Sequence, residues 1–283
     1  MWLYLNNKYV EQEKATISPF DRGFLFSDGI YEVVRFYPPR GFFQVEAHLE
    51  RMRYGMGQLR IKGVDIGKIR PIIEELIARN GHKSAQAIAY IQVTRGAYFP
   101  RQHAFPPPAT PPTLLISTSP FKPHMEEIEK GVRVLLEKDI RWSRCDIKTI
   151  ALLPNILSRQ SAVEQGACET IWSREGRITE GTHTNFCAVK NGALLTPRKS
   201  NFILSGVTRQ VVLYLCRSLN IPCSETSLKE SEVGEFDECM IIGTTTEVTP
   251  VVKINDLTIG GGAPGEITKK LQKELDKIIA GGG

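Results

Sequence analysis

The sequence has no CxxC pair, no cysteine–histidine cluster at zinc-ligand spacing, no block of like charge and no apolar run long enough to span a bilayer. Each absence removes a class of function. Six scattered cysteines, Cys145, Cys168, Cys187, Cys216, Cys223 and Cys239, give neither a zinc site nor a disulfide framework, so free thiols in a reducing cytoplasm are expected and no metal is. The formal net charge of +5 is spread along the whole chain, with no basic tract that would follow a nucleic-acid backbone. Met1-Trp2-Leu3-Tyr4-Leu5 lacks the basic start and apolar stretch of a secretion signal. No internal repeat marks a solenoid. The Gly281-Gly282-Gly283 end reads as frayed and outside the fold.

What remains is a chain of 283 residues, 41% hydrophobic, long enough for one large or two medium domains. Trp2–Leu5, Asn6-Asn7 and Tyr9-Val10 predict a hairpin, because Asn tolerates the positive φ of a tight turn. Strands are predicted over 30–37 and 42–45, then a helix on Leu49, Met52, Met56 and Leu59 and another on Ile69, Ile72, Ile73 and Leu76. A strand over 87–94 leads into a proline-rich stretch over 96–112, and irregular segments of that length are usually functional or flexible. Further strands are predicted over 114–117, 132–136, 169–173, 186–189, 193–196, 239–242 and 251–254, with helices over 154–165, from Val207 to Leu219, and from Ile267 to Ile278. Strands and helices occur in both halves without a regular βαβα alternation, which points to an α+β protein. Pro120 and Pro123 break any element, so the expected division is a small N-terminal domain over 1–118, a linker over 119–126 and a large domain over 127–283.

One segment concentrates unusual features. In Asp139 to Thr149, Lys148 ends a strand-like stretch and precedes apolar Ile150, Ala151, Leu152 and Leu153; a lysine desolvated by such neighbours becomes a nucleophilic amine. Ser205-Gly206-Val207-Thr208 opens a helix and Gly243-Thr244-Thr245-Thr246-Glu247 follows a buried strand. Both offer free N–H groups, small residues and hydroxyls, as a phosphate site needs. Arg51 stands on a helix, where a guanidinium can clamp a phosphate. Taken singly, each has a plain structural alternative: a surface lysine, an N-cap, a tight turn, a solvated helix face.

In combination and in order, these segments resemble the fold-type IV aminotransferases that use pyridoxal 5'-phosphate (PLP), and within them the bacterial D-amino acid transaminases. The resemblance covers nearly the whole chain: Phe26 to Val34, Asp139 to Lys148, Thr179-Glu180-Gly181 through Asn185, Gly206 to Arg209, and Thr244 to Pro250. It implies a two-domain α+β fold with the active site between the domains. It implies that Lys148 holds PLP as a Schiff base and shuttles the proton, and that Glu180 pairs with the pyridine nitrogen and keeps the ring an electron sink. Arg51, Val207, Thr208, Thr244 and Thr245 would hold the phosphate, and Leu204 would pack on the ring.

The same resemblance gives a substrate. Tyr31 stands in Asp28-Gly29-Ile30-Tyr31-Glu32, and Pro100-Arg101-Gln102-His103 is similar to the family's Pro-Arg-x-His motif. Tyr31, Arg101 and His103 would trap the α-carboxylate of a D-amino acid and so fix which face of Cα meets Lys148. The proline-rich loop would reach in from a neighbouring subunit, implying a homodimer acting on D-amino acids and 2-oxo acids, with no nucleic-acid or membrane partner. Tyr98-Phe99 lengthens this loop by one residue relative to the family pattern, His183 replaces a serine and Arg35 replaces a lysine. The alternatives are an L-branched-chain aminotransferase, an aminodeoxychorismate lyase, and a protein that binds PLP without turnover.

Overall fold

The computed structural model describes residues 1–281; Gly282 and Gly283, which belong to the glycine end set aside above, lie outside the described residues. The chain divides into two compact units, Met1–Lys122 with Ile147–Ala151, and Pro123–Asp146 with the chain from Leu152 onward. The expected continuous domain over 127–283 is therefore interrupted. The reason is strand-like bonding: Tyr31 N–H donates to Lys148 O (3.0 Å), Ile150 N–H to Gly29 O (3.1 Å), and Ile30 bridges Thr149. Those bonds draw five residues out of the second unit's sequence and into the first.

The first unit contains β1 (Trp2–Leu5), β2 (Lys8–Glu11), α1 (Arg22–Phe26), β3 (Gly29–Tyr37), β4 (Gly41–Phe42), α2 (Val45–Leu59), α3 (Ile69–Arg79), β5 (Ala87–Thr94) and β6 (Thr113–Pro120). The strands form one antiparallel sheet in the order β2-β1-β6-β5-β3-β4. The Asn6-Asn7 turn adopts the positive φ its residues invite, 47° and 69°. The apolar spacing of the two long helices buries Leu49, Met52 and Met56 from α2 and Ile69, Ile73 and Leu76 from α3 against Val34, Ile91 and Ile116 of the sheet. Burying a side chain such as Ile73 or Leu76, both 0% exposed, stabilises the fold by roughly 1.5–3 kcal/mol. Asn80, at the end of α3, accepts from Trp2 N–H (2.7 Å) and donates to Trp2 O (2.9 Å) and Thr118 Oγ1 (2.9 Å), locking helix to sheet.

Two expectations change here. The strand expected over 42–45 stops at Phe42, because Gln44 turns through φ 53° and Val45 begins α2. The strand expected over 114–117 continues through Ser119 and Pro120, which pair with Ile88 and Ala87. Pro120 is tolerated because it closes the strand, past the last pairing with β1 at Ile116.

The second unit contains α4 (Met125–Lys130), β7 (Val132–Lys138), α5 (Leu153–Glu164), β8 (Glu169–Arg174), β9 (Arg177–Gly181), β10 (Asn185–Lys190), β11 (Ala193–Pro197), α6 (Val207–Ser218), β12 (Cys223–Thr226), β13 (Glu238–Gly243), β14 (Glu247–Ile254), β15 (Leu257–Thr258) and α7 (Glu266–Ala280). Part of the expected linker is thus helix α4, supported by acidic Glu126 and Glu127 in its first turn and Lys130 in its last. The sheet runs β12-β11-β10-β13-β14-β7-β8-β9, with β15 on β14. It also closes on itself, since β9 pairs with β10 at one point, Glu180 opposite Asn185. Val134, Ile171, Phe186 and Ile241 fill the core on one side of this ring.

Candidate active site

In the first unit, β3 places Tyr31 and Glu32 on opposite faces of the sheet, as strand alternation requires. Lys148 comes alongside through the backbone bonds described above, and Thr149 Oγ1 adds a bond to Gly29 O (3.1 Å). The Lys148 ammonium lies 4.3 Å from the centroid of the Tyr31 ring, and Tyr31 in turn stacks on Tyr90 at 5.8 Å. The expected setting of Lys148 changes on one point: residues 139–148 are irregular rather than strand. In the apolar run after the lysine, Ile150 and Leu152 are half-buried, Ala151 is exposed and Leu153 is 67% exposed. The aromatic face of Tyr31 is a neighbour of the amine.

Behind β3, Glu32 is fully buried and accepts from Arg51 Nε (2.7 Å) and Nη2 (2.8 Å) and pairs with His48 Nδ1 (2.9 Å). Burial alone would raise the Glu32 carboxyl, but the Arg51 charge and the bonds from Arg51 and His48 hold it down to about 2. Burial lowers His48. Arg51 is thus held by a carboxylate that its helix position alone did not reveal.

Arg101 and His103 sit in the irregular loop between β5 and β6. Their ring contacts are with Phe26: the Arg101 guanidinium lies 4.4 Å from its centroid and the His103 ring 5.4 Å away. No hydrogen bond, ion pair or ring contact among the described residues joins either side chain to Tyr31 or Lys148 of the same chain. A cavity of about 450 Å³ elsewhere in this unit, bordered by Pro19, Asp21, Phe24 and Thr113, includes none of the candidate residues.

In the second unit the strand ring closes at Glu180 and Asn185, and the chemistry gathers at that closure. Glu180 Oε1 accepts from Arg141 Nη1 (2.6 Å), while Oε2 accepts from Asn185 Nδ2 (2.9 Å) and Leu204 N–H (2.9 Å). Burial pushes the Glu180 carboxyl above its ordinary value, against the pull of Arg141 and the Leu204 N–H. Arg141 is itself anchored, by Asp139 (3.0 Å) and by the face of Trp172 at 4.2 Å. A Cβ on Gly206 would collide with Asn185 Oδ1, so glycine is required where α6 begins beside this carboxylate.

Gly206 also leaves α6 without a side-chain cap, and the first-turn N–H groups of Val207 and Thr208 have no helical carbonyl to meet. Gly243–Thr246 forms the β13–β14 turn, with Thr244 and Thr245 half-buried on it. The Thr246 hydroxyl is buried and has no hydrogen-bond partner among the described residues. An uncapped helix start and an orphaned hydroxyl suit a phosphate oxygen, and a buried carboxylate suits a ring N–H, so the residues present fit PLP. On the turn between β9 and β10, His183 Nδ1 pairs with buried Glu169 (2.9 Å), which also accepts from Thr182 Oγ1 (2.5 Å) and Thr184 Oγ1 (3.1 Å). Burial works to raise Glu169, but His183, the Thr182 hydroxyl and the Thr170 N–H hold it below its usual range. Arg35, the other departure from the family pattern, lies between the Tyr37 and Phe121 rings at 4.6 and 4.4 Å and donates to Gln86.

Sequence reasoning missed Glu32, Arg141, Asn185 and Thr246 as parts of these clusters. Arg141 stood seven residues before the lysine, but its partner is 39 residues away and only the fold brings them together. All six cysteines are free; burial raises Cys145 and Cys187 to about 11 and Cys168 and Cys216 to about 12, which leaves those four thiols protonated and unreactive at neutral pH.

The family described as amino-transferase class IV matches residues 29–254. The chain is 34% identical over 278 residues to a D-alanine aminotransferase of Staphylococcus haemolyticus, covering 98% of this chain and 97% of that one. It is 36% identical over 283 residues to a D-alanine aminotransferase of Listeria monocytogenes, covering 99% and 96%. Among solved structures, a branched-chain amino acid aminotransferase of Escherichia coli superposes with a TM-score of 0.90 at 22% identity, covering 99% of this chain and 95% of that one. A branched-chain amino acid aminotransferase of Thermobaculum terrenum, solved in its PLP form, gives 0.87 at 23%, covering 100% and 94%. At such identities the structural likeness speaks for the fold, whereas the near full-length matches above 30% speak for kinship, and the chain belongs to the class IV aminotransferases.

Proposed function

We propose that this aminotransferase moves the amino group of D-amino acids, D-alanine foremost, to 2-oxoglutarate through PLP in a ping-pong reaction. The observation that carries the reading is the Lys148 amine beside the Tyr31 ring, 4.3 Å from its centroid. Relatives that carry the name D-alanine aminotransferase match the chain nearly end to end and support the choice of substrate. Bound PLP supplies an electron sink that allows the Cα–H bond of an amino acid to ionise. Lys148 anchors the cofactor and carries the proton at Cα. Glu180, held by Arg141, Asn185 and the Leu204 N–H, keeps the ring nitrogen protonated. Val207 and Thr208 at the start of α6, with Thr244, Thr245 and Arg51, hold the phosphate, and Leu204 packs on the ring.

Tyr31, Arg101 and His103 clamp the α-carboxylate. Arg101 and His103 lean on Phe26 and, among the described residues, make no hydrogen bond, ion pair or ring contact with Tyr31 of their own chain, which favours their serving the site of a second copy in a homodimer. Six free thiols suit a reducing cytoplasm.

The test is a single turnover without an amino acceptor. The PLP-loaded protein is mixed in turn with D-alanine and with L-leucine while the cofactor's visible band is followed. Bleaching with D-alanine and not with L-leucine is expected; bleaching with L-leucine alone refutes the substrate assignment and leaves the cofactor chemistry standing.

A further inference from the structure

The loop that carries Arg101 and His103 has no regular structure over residues 96–112. An arginine on a free loop loses rotamer and backbone entropy when it clamps a carboxylate, and the affinity falls accordingly. The centre of this loop is held by one side chain. Arg22, 5% exposed, donates from Nη1 to Gln102 O (2.7 Å) and Ala104 O (3.2 Å) and from Nη2 to His103 O (3.2 Å). Three consecutive loop carbonyls therefore converge on a single guanidinium. A fourth donor, Nε, goes to Asp28 Oδ2 (2.8 Å), which also takes Arg95 Nε (2.7 Å). Arg95 in turn lies over Phe105 at 3.6 Å, fixing the loop one residue past Ala104. At the other end Phe99 packs on Phe20 at 4.9 Å and Tyr98 N–H donates to Phe20 O (3.2 Å), so the extra residue of this loop is tied down as well. Gly96 allows the entry turn: it takes φ 89°, and a Cβ there would strike Pro111 O.

Phe26 stands one helical turn after Arg22 on α1, and its ring meets three side chains. The Arg22 guanidinium is 4.8 Å from the centroid, that of Arg101 4.4 Å, and the His103 ring 5.4 Å. Arg22 fixes the backbone between Arg101 and His103, and Phe26 fixes where their side chains lie. Neither residue belongs to the lysine, phosphate or carboxylate groups assigned above. We propose that Arg22 and Phe26 are positioning residues that pre-set the Arg101–His103 clamp and thereby set the affinity for the substrate carboxylate. The inference rests on the assignment of Arg101 and His103 to that carboxylate.

The experiment compares Phe26→Leu, Arg22→Lys, Arg101→Ala, the pair Arg101→Ala/His103→Ala, and that pair with Phe26→Leu added, all as PLP-loaded enzyme. Steady-state KM and kcat for D-alanine are read beside the thermal midpoint and the affinity for PLP. Phe26→Leu is expected to raise KM about five- to tenfold with kcat within about twofold, since it loosens a binding group and not the reacting atoms. Arg22→Lys keeps the charge but loses the fork that reaches three carbonyls, and is expected to raise KM similarly. Midpoint and PLP affinity of Phe26→Leu stay at the wild-type values. Added to the Arg101→Ala/His103→Ala pair, Phe26→Leu has no further effect on KM, because what it positions is gone. An unchanged KM in Phe26→Leu, where Arg101→Ala does raise KM, overturns the inference and leaves the clamp intact. So does a full additional KM rise on top of the pair, or a parallel loss of kcat and PLP affinity. An unchanged KM in Arg101→Ala overturns the clamp itself.

Discussion

Replacing Arg141 by Met removes the cation paired with a carboxylate that the fold has buried. Glu180 is 5% exposed and Arg141 8%, so solvent cannot take the guanidinium's place. Glu180 would retain Asn185 Nδ2 and the Leu204 N–H, and Asp139 would retain Arg174 Nη2 at 3.3 Å. Breaking a buried pair from one side costs about 3–5 kcal/mol. The sign with pH follows from burial. Glu180 already binds its proton more tightly folded than unfolded, so whatever stability its protonation lends is full at acid pH and is lost as pH rises through the folded value. Without Arg141 that folded value climbs further, and the penalty is carried over a wider span of neutral pH. Urea unfolding of the PLP-free variant, compared with PLP-free wild type so that no ring N–H faces Glu180, should therefore show a larger loss at about pH 8 than at about pH 5. Adding Glu180→Gln should return at least about 1 kcal/mol at the higher pH, since the buried charge is then absent. Equal losses at the two pH values, or a double variant that is the plain sum of the singles, refutes Arg141 as the counter-charge of Glu180.

Two further outcomes are expected. Lys148→Ala should bind PLP without its lysine-dependent visible band and lose turnover by several orders of magnitude; a variant with full activity refutes the assignment of the anchoring amine. Glu32, held at about 2, contributes stability that is present above its unfolded value near 4.5 and is lost as pH falls through about 2. Glu32→Gln should accordingly be destabilised at neutral pH by on the order of 3 kcal/mol and lack this acid-side loss, and a variant whose acid unfolding profile parallels wild type refutes the Glu32–Arg51 pairing.

Much of the scaffold was legible from local pattern, because its causes are local. Helix α3 follows from Ile69, Ile72, Ile73 and Leu76, and α5 from Pro154 at its start and Gly166 past its end. The Asn191-Gly192 turn takes positive φ at both residues, as the dipeptide requires. The elements that escaped notice depend on distant partners. Pro120 reads as a breaker until Ala87 is beside it, and Lys148 reads as part of the second half until Tyr31 takes its carbonyl and Gly29 the N–H of Ile150. For the site, sequence order pointed to the lysine, to Glu180 and to two N–H-rich turns, whereas Arg141, Asn185 and the Glu32–Arg51–His48 cluster are pairings across 3 to 39 residues. Charge pairing carries no periodicity, so no window on the chain reveals it.

The buried ion pairs share a logic that separates them from ordinary core contacts. Glu32–Arg51 backs the strand residue next to Tyr31, Glu180–Arg141 lies at the closure of the strand ring, and Asp28–Arg22 supports the loop of Arg101 and His103. A buried pair is often less stabilising than apolar residues of the same volume, so stability does not explain why three of them stand beside candidate site residues. Directionality does. An apolar contact tolerates a slide of the order of an ångström at little cost, while a guanidinium donating along fixed N–H vectors to a carboxylate or to three carbonyls does not. Arg141 therefore fixes the Glu180 oxygens, and Arg22 fixes the loop backbone, at a cost in stability that a packed core such as that around Ile73 and Leu76 has to offset. Reaction geometry is sensitive to displacements of about 1 Å, and a fold selected for it places its rigid, directional contacts where atoms must meet and its apolar ones elsewhere.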